Sequence, residues 1–172
     1  MNDKLTIMET PSDVQTFGVE HPEAKQVEGA VALAYDPGTG KWLGLRMRAT
    51  DIVWLVGGGR DGTEEFFDTA KRELQEETGY VEFERAFQLG AAVKSFYYND
   101  VKRVYRKSFA YSFLFILDSS KRGDAAQESH EDFDTIWLAY MELYDEIKQT
   151  SGGVEHWLDA LDRAKRVVEN EL

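Results

Sequence analysis

Residues 58–80 read GGRDGTEEFFDTAKRELQEETGY, and this stretch decides how the rest of the chain is interpreted. Its fixed positions follow the spacing G-x5-E-x7-R-E-L-x-E-E-x-G-Y, in which the acids are Glu64, Glu73, Glu76 and Glu77. A glycine-rich loop therefore leads into a predicted helix that carries three acids close together. Residues three and four positions apart lie on one face of a helix, so the carboxylates of Glu73, Glu76 and Glu77 are expected to converge.

Converging carboxylates repel one another, and a hard divalent cation is the natural way to offset that repulsion. Mg2+ and Mn2+ prefer oxygen ligands, and Mg2+ is often held by a few carboxylates together with substrate phosphates. Such an ion would neutralise phosphate charge and activate a water for attack on phosphorus. The alternative is a solvated acidic helix face, but the complete spacing around the acids favours a metal site.

The spacing resembles the signature of the Nudix hydrolase family, with every fixed position present. The resemblance implies an α/β fold, namely an α/β/α sandwich with a mixed sheet. It also implies a metal-dependent pyrophosphohydrolase that cleaves a phosphoanhydride bond in a nucleoside diphosphate linked to a group X. The expected cofactor is Mg2+, with Mn2+ as an alternative, and the expected partner is a nucleotide-type small molecule.

The resemblance also implies roles for residues of the stretch. Metal binding falls to Glu73, Glu76 and Glu77, joined by a backbone carbonyl of the glycine loop, that of Gly57. Glu64 is expected to reach the metal through water, or to be a plain carboxylate at the helix start.

Arg72 is a further predicted catalytic residue, because guanidinium is a rigid, bidentate partner for carboxylates. It is expected to fix the rotamers of the neighbouring acids, and contact with phosphate is the alternative.

Many Nudix enzymes take a general base from a distal loop. The resemblance places that loop in residues 118–134, where Glu128 is the predicted catalytic base and Glu131 and Asp132 are alternatives. His130 lies between them and is a further candidate, since histidine titrates near neutral pH.

Two tyrosines carry the prediction of the substrate. Tyr97 and Tyr98 lie 17 and 18 positions after Tyr80, where a tyrosine resembles the marker of diadenosine polyphosphate hydrolases in the family. An aromatic ring there would stack on a purine, although a strand would also accept it. Dinucleoside polyphosphates are therefore the leading substrate class, followed by nucleoside triphosphates and nucleotide sugars.

Basic residues are the expected phosphate contacts. Arg46 and Arg48, at the end of a predicted strand, either reach phosphate or cap the edge of the sheet. A basic cluster at Lys102, Arg103, Arg106 and Lys107 is the second candidate.

Composition excludes several functional classes. The net charge is −12, which argues against bulk binding to nucleic acid or to an anionic membrane. The chain has no apolar run of membrane-spanning length and no cysteine, so thiolate metal sites and disulfides are excluded. A cytoplasmic location is expected.

The pattern along the chain predicts an irregular leader over residues 1–25 and a single domain over residues 26–172. A hairpin turns at Asp36–Gly40. A helix is predicted from Glu64 to Thr78, with Thr63 as its N-cap, Gly79 at its end and a core-facing stripe of Phe67, Ala70 and Leu74. Further strands are expected at 81–89, 91–98, 104–117 and 136–138, and helices at 143–147 and after Gly153.

Two alternatives concern assembly and activity. A homodimer is possible through the predicted strand Val27–Tyr35 or through the final helix. A nucleotide-binding module without catalysis is the rival function, although three converging acids have no evident use in it.

Overall fold

The computed structural model describes residues 4–8, 14–99, 102–118, 133–150 and 154–172. Within these ranges, ten strands form one sheet and three helices pack on it. The strands are β1 Leu5–Ile7, β2 Thr16–Phe17, β3 Lys25–Asp36, β4 Lys41–Met47, β5 Val53–Trp54, β6 Val56–Gly59, β7 Phe83–Gln88, β8 Val93–Asn99, β9 Val104–Leu117 and β10 Phe133–Leu138; the helices are α1 Phe66–Thr78, α2 Tyr140–Gln149 and α3 Glu155–Glu171.

The long strands β3 and β9 form the centre of the sheet. They pair in parallel from Lys25 and Arg106 to Tyr35 and Ile116, and the main strand order is β1-β7-β9-β3-β4-β10. β8 and β7 pair with successive halves of β9, whereas β6 and β4 pair with successive parts of β3. Because most other pairs are antiparallel, the sheet is mixed.

Alternation along β3 divides the core into two layers. Ala30, Ala32 and Ala34 face α1, whereas Val31 and Leu33 pack in the cluster formed with α2 and α3. Period-two alternation places the two sets on opposite faces of the strand. The predicted α/β/α sandwich with a mixed sheet is confirmed.

The helix that carries the acids begins two residues later than predicted. α1 starts at Phe66, and its N-cap is Glu65 in an extended conformation with no side-chain capping bond, so the prediction of Thr63 as N-cap is wrong. The Glu64 carboxylate accepts hydrogen bonds from Arg72 and Thr69, so Glu64 belongs to the loop before the helix. The other end agrees with expectation, because Gly79 has a φ of 79° that favours glycine.

The segment before β3 contains regular structure where the sequence predicted irregularity. β1 pairs in parallel with β7, and β2 pairs in parallel with β8. Lys4 Nζ also donates to the Phe83 carbonyl at 2.6 Å. These strands are only three and two residues long, too short for a periodic pattern to reveal them. The domain boundary near residue 26 stays a prediction.

Both edges of β3 are occupied, and this bears on assembly. β9 pairs with one edge, and β6 and β4 pair with the other. Since β3 is paired on both edges at residues 29–32 and 35, it cannot extend the sheet into a second copy there, and dimerisation through the strand Val27–Tyr35 stays a prediction. No helix in the described ranges is long and apolar enough to cross a membrane.

Candidate active site

Gly58 brings the glycine strand into direct contact with the acidic helix. The Glu73 carboxylate lies so close that a Cβ added to Gly58 would be 2.2 Å from its Oε1. Gly58 pairs with Ala30 in the sheet, so the contact occurs on the α1 face. A side chain at this position would displace Glu73, which explains why the spacing begins with glycine.

Arg72 gathers the acids of the stretch. Its Nη1 donates to Glu73 Oε1 at 2.7 Å and to Glu76 Oε2 at 3.1 Å, and its Nη2 donates to the Gly59 carbonyl at 2.8 Å. Hydrogen bonds with Glu64 and then Glu73 raise the pKa of Arg72 above its usual value, against the opposing effect of burial. Arg72 therefore holds the glycine loop and the helix acids together.

Glu64 joins the same network from the loop. Its Oε1 accepts from Arg72 Nε at 3.2 Å, and its Oε2 accepts from the buried Thr69 hydroxyl at 2.9 Å. The hydrogen bond from Arg72 lowers the pKa of Glu64 despite the opposing effect of burial. Glu64 is thus ionised and fixed in orientation at neutral pH.

Glu77 lies one turn beyond Glu73 on α1 and is 7% exposed. Among the residues that the structure describes, it is the only ionisable side chain in the fully buried class. Burial of a carboxylate is costly unless charge compensates for it. The position is therefore suited to a nearby cation.

The Gly57 carbonyl lies on the same edge of β6 as the Gly59 carbonyl. Arg60 N–H donates to the Glu28 carbonyl, and hydrogen-bonded pairs alternate along an antiparallel ladder. The backbone groups of Gly57 and Gly59 consequently point away from β3. The Gly57 carbonyl therefore points to the same side of the strand as the Gly59 carbonyl, which Arg72 contacts.

The donor chemistry of this cluster fits Mg2+ or Mn2+, because all of its candidate ligands are oxygen atoms. In the described part of the chain, no group of three or more acids or histidines is arranged around a common metal position. Arg72 lies among the carboxylates of Glu64, Glu73 and Glu76, and its single positive charge offsets one of their three negative charges. It contacts one oxygen each of Glu73 and Glu76, whereas both oxygens of Glu64 accept from it.

The two candidate tyrosines face opposite sides of the sheet. Tyr97 packs toward α3, where its ring lies parallel to that of His156 at 6.3 Å, and burial raises its pKa. Tyr98 pairs with Tyr105 on the α1 face and is 45% exposed. Only Tyr98 is therefore accessible from the side of the sheet that carries the acids.

Arg46 and Arg48 form ion pairs at the β4 end of the sheet. Arg46 contacts Asp51 at 2.9 Å and Glu146 at 3.0 Å, and Arg48 contacts Asp134 at 2.7 Å. These contacts match the alternative in which they cap a sheet edge, and phosphate binding by either stays a prediction.

The basic cluster of residues 102–107 is divided by the alternation of β9. Arg106 pairs with Tyr97, whereas Lys107 pairs with Phe96 on the α1 face. Arg103 lies in the turn between β8 and β9 with a φ of 51°. Phosphate binding by Arg103 also stays a prediction.

Comparison with known proteins decides the family. The model of the NUDIX domain matches residues 26–159, which is most of the chain. The chain belongs to the Nudix hydrolase family. No curated protein matches the chain. The enzyme class predicted from residues 58–80, a Nudix-type pyrophosphohydrolase, is the class of this family.

Solved structures of the family share the fold. A MutT protein from Methanosarcina mazei Go1 has a TM-score of 0.59 at 18% identity, covering 88% of this chain and 100% of its own. A MutT Nudix hydrolase from Burkholderia pseudomallei has a TM-score of 0.57 at 21% identity, covering 81% of this chain and 98% of its own. An Ap4A hydrolase from C. elegans, in a binary complex, has a TM-score of 0.56 at 16% identity, covering 83% of this chain and 98% of its own. At these identities the likeness shows the fold alone.

The distal acids of this Nudix chain lie outside the described residues. Glu128, Glu131, Asp132 and His130 all fall between the end of β9 and the start of β10. The choice of base among them therefore stays a prediction.

Sequence reasoning did not single out three residues that the structure places near the Nudix helix. Arg60 bonds Glu28 Oε2 at 2.9 Å and lies over the Phe66 ring at 4.7 Å. Thr69 orients Glu64, and Lys94 faces the same side of the sheet as α1. A hydroxyl one turn after Glu64 was the available signal for Thr69, whereas Lys94 depends on long-range strand register.

Proposed function

We propose that this chain is a divalent-metal-dependent hydrolase that cleaves a phosphoanhydride bond in a nucleoside diphosphate linked to a second group, X. The observation that supports it most is the gathering of Glu64, Glu73 and Glu76 around Arg72 at the end of the glycine strand. The buried Glu77 lies on the same helix. A folded chain concentrates acids in this way at a cost, which a bound cation would offset.

Metal binding is assigned to Glu73, Glu76 and Glu77 together with the Gly57 carbonyl, with Glu64 acting through water. When bound, the ion supplies charge neutralisation for the phosphates and lowers the pKa of a bound water. Mg2+ is the proposed ion and Mn2+ the alternative.

The protein side chains position the reactants. Arg72 and Thr69 restrict the rotamers of Glu64, Glu73 and Glu76 before substrate binds. Glu128 is the proposed base that takes a proton from the attacking water. The water oxygen forms a new bond to phosphorus, the anhydride P–O bond breaks, and a nucleoside monophosphate leaves.

Dinucleoside polyphosphates are the leading substrate class. Tyr98 supports this choice because its ring is exposed on the face that carries α1. One similar fold is that of an Ap4A hydrolase, whereas others are those of MutT proteins, and nucleoside triphosphates and nucleotide sugars are the alternatives. A cytoplasmic location and a homodimer are kept as proposals, and sedimentation tests the second.

A substitution pair tests the reaction. Wild-type protein, Glu77→Gln and Glu65→Gln are assayed with Mg2+ against diadenosine tetraphosphate, ATP and a nucleotide sugar, and products are separated by chromatography. Glu77→Gln should lower kcat by at least about a hundredfold, the usual cost of one electrostatic contact in a transition state. Glu65 is exposed at the start of the same helix and has no assigned role, so Glu65→Gln should behave as wild type.

Undiminished turnover by Glu77→Gln would refute the mechanism. Hydrolysis in 18O-labelled water should place the label on one phosphate product, as attack at phosphorus requires. Saturable nucleotide binding without any product would instead favour the non-catalytic module.

A further inference from the structure

A row of residues crosses the α1 face of the sheet from the glycine loop to β8. Arg60 bonds the Glu28 backbone, Glu28 pairs with Phe109, and Phe109 pairs with Lys94. The row passes over four adjacent strands, since Arg60 directly follows β6. Strands lie about 4.8 Å apart, so Lys94 lies roughly 14 Å from Arg60.

The far end of this row is an open cavity of about 280 Å3. Among the described residues, α1 packs over a different part of the sheet, formed by Ala30, Ala32 and Phe113, one to two residue rows further along. Its lining residues are Gln26, Lys94, Lys107, Ser108 and Phe109.

The cavity is basic in a strongly acidic protein. Lys107 is anchored by Glu20 at 2.9 Å, and its ammonium lies 5.8 Å from the centre of the Phe96 ring. Lys94 is half-buried, and its ammonium forms no ion pair with any residue in the described ranges. An ammonium without a counter-ion beside a chain of net charge −12 is suited to an anionic ligand.

The cavity is connected to the candidate active site through side-chain contacts. Phe109 packs edge-on against Phe66, and the guanidinium of Arg60 lies over the Phe66 ring. Arg60 in turn donates to the Glu64 carbonyl at 2.5 Å. The Phe66 ring therefore joins Arg60 to Phe109 along this row, and a ligand that extends from the acids would pass these side chains to reach Lys94.

We propose that the Lys94–Phe109 cavity binds the part of group X that is distal to the bond cleaved, a second nucleoside phosphate. Its phosphate is held by the ammonium groups of Lys94 and Lys107, and its base packs on the apolar surface of Phe109. The assignment rests on the proposed function, because it takes group X to be a nucleotide. Binding of this second nucleoside phosphate would make the enzyme prefer long, doubly substituted polyphosphates to nucleoside triphosphates.

A binding experiment without metal or turnover tests the cavity itself. Isotope-labelled wild-type protein is titrated with AMP in EDTA and followed by amide chemical shifts. The shifts should saturate around Lys94, Lys107 and Phe109, and Lys94→Met should weaken binding about tenfold, as expected for loss of one charge-assisted hydrogen bond. The matched control is Lys41→Met, an exposed strand lysine at the β3–β4 hairpin, which should leave the titration unchanged. Equal AMP binding by Lys94→Met and wild type would overturn the proposal.

A kinetic experiment tests the assignment to group X. Lys94→Met should lower kcat/KM for diadenosine tetraphosphate about tenfold more than for ATP, mainly through KM, and Lys41→Met should not change this ratio. An equal loss with both substrates would refute the assignment. If wild-type protein hydrolyses neither compound, the proposed function fails, and the AMP titration alone decides whether the cavity binds a nucleotide.

Discussion

The two faces of the central sheet differ in how much of them is covered. The α2/α3 face is filled by large side chains such as Leu33, Leu114 and Leu161, which are each at most 1% exposed. The α1 face has alanines under a single helix and leaves basic and aromatic side chains of β8 and β9 accessible. The chemistry is therefore separated onto one face: both faces bury a hydrophobic cluster, but only the α1 face also brings acids and cations to a surface that a ligand can reach.

The strongest test of this separation compares two buried leucines. Leu161→Ala on α3 and Leu74→Ala on α1 remove side chains that are 0% and 2% exposed. Each should lower the free energy of unfolding by about 3 kcal/mol, because it leaves a cavity in the core. Denaturant unfolding measures that loss. Only Leu74→Ala should also lower kcat below the melting temperature, since α1 carries the acids; equal kinetic damage from Leu161→Ala would contradict the separation.

The glycines of β6 test the α1 face alone. A Cβ at Gly58 would collide with the Glu73 carboxylate, whereas a Cβ at Gly59 would meet nothing within 4 Å. Gly58→Ala should cost about 2 kcal/mol of activation free energy, roughly a thirtyfold loss of kcat/KM, because the Arg72–Glu73 bond must break. Steady-state kinetics measure it, with Gly59→Ala as the matched control. Similar losses in both variants would show that the strand, and not the carboxylate contact, is responsible.

The tyrosines of β8 sharpen the comparison, because adjacent residues face different sides. Tyr98→Ala should raise KM for a dinucleoside polyphosphate by about fivefold, equivalent to the loss of roughly 1 kcal/mol of stacking. Tyr98→Phe should restore wild-type KM. Tyr97→Ala, which disturbs packing at His156, should lower stability and leave KM unchanged. A raised KM in Tyr97→Ala with an unchanged KM in Tyr98→Ala would indicate that the nucleotide binds on the α3 face instead.

The smallest effect expected is the pH dependence contributed by Glu64. Because Arg72 lowers its pKa in the folded protein, Glu64 contributes its full stabilisation above its ordinary value of 4.5 and loses it as the pH falls through the lowered pKa. Glu64→Gln should reduce the free energy of unfolding near pH 7 by about 0.5 kcal/mol. Urea unfolding at several pH values should show a smaller acid-induced loss in Glu64→Gln than in wild type. An equal loss in both proteins would mean that Glu64 is not the titrating group.

Local spacing was enough to predict the Nudix helix and its core stripe. The acids that the structure brings together around Arg72 are Glu64, Glu73 and Glu76, so the convergence of Glu77 with them stays a prediction. The stripe of Phe67, Ala70 and Leu74 is buried as its period requires. The start of α1 was missed because the conformation of Glu64 is set by Arg72, eight residues further along the chain. An N-cap rule considers only the first turn of a helix and has no means of including that contact.

Long-range register limited the rest of the prediction. The ion pairs of Arg46 and Arg48 involve Glu146 and Asp134, whose positions depend on α2 and β10. The basic cluster was read as one group, but strand alternation separates Arg106 from Lys107. Lys94 joins Lys107 only through the pairing of β8 with β9, which no local pattern encodes.

The central pairing of β3 with β9 also has a consequence for how the chain folds. Lys25 pairs with Arg106, so most of the chain must be present before the middle of the sheet can close. Closing such a long loop is entropically costly and makes folding slow compared with proteins of local topology. The acidic helix is synthesised between the two strands, and β9 supplies part of the surface on which it packs. We therefore expect a ribosome-bound chain that ends before β9 to have a helix-forming segment without its packing surface, and refolding kinetics to be limited by closure of this pair.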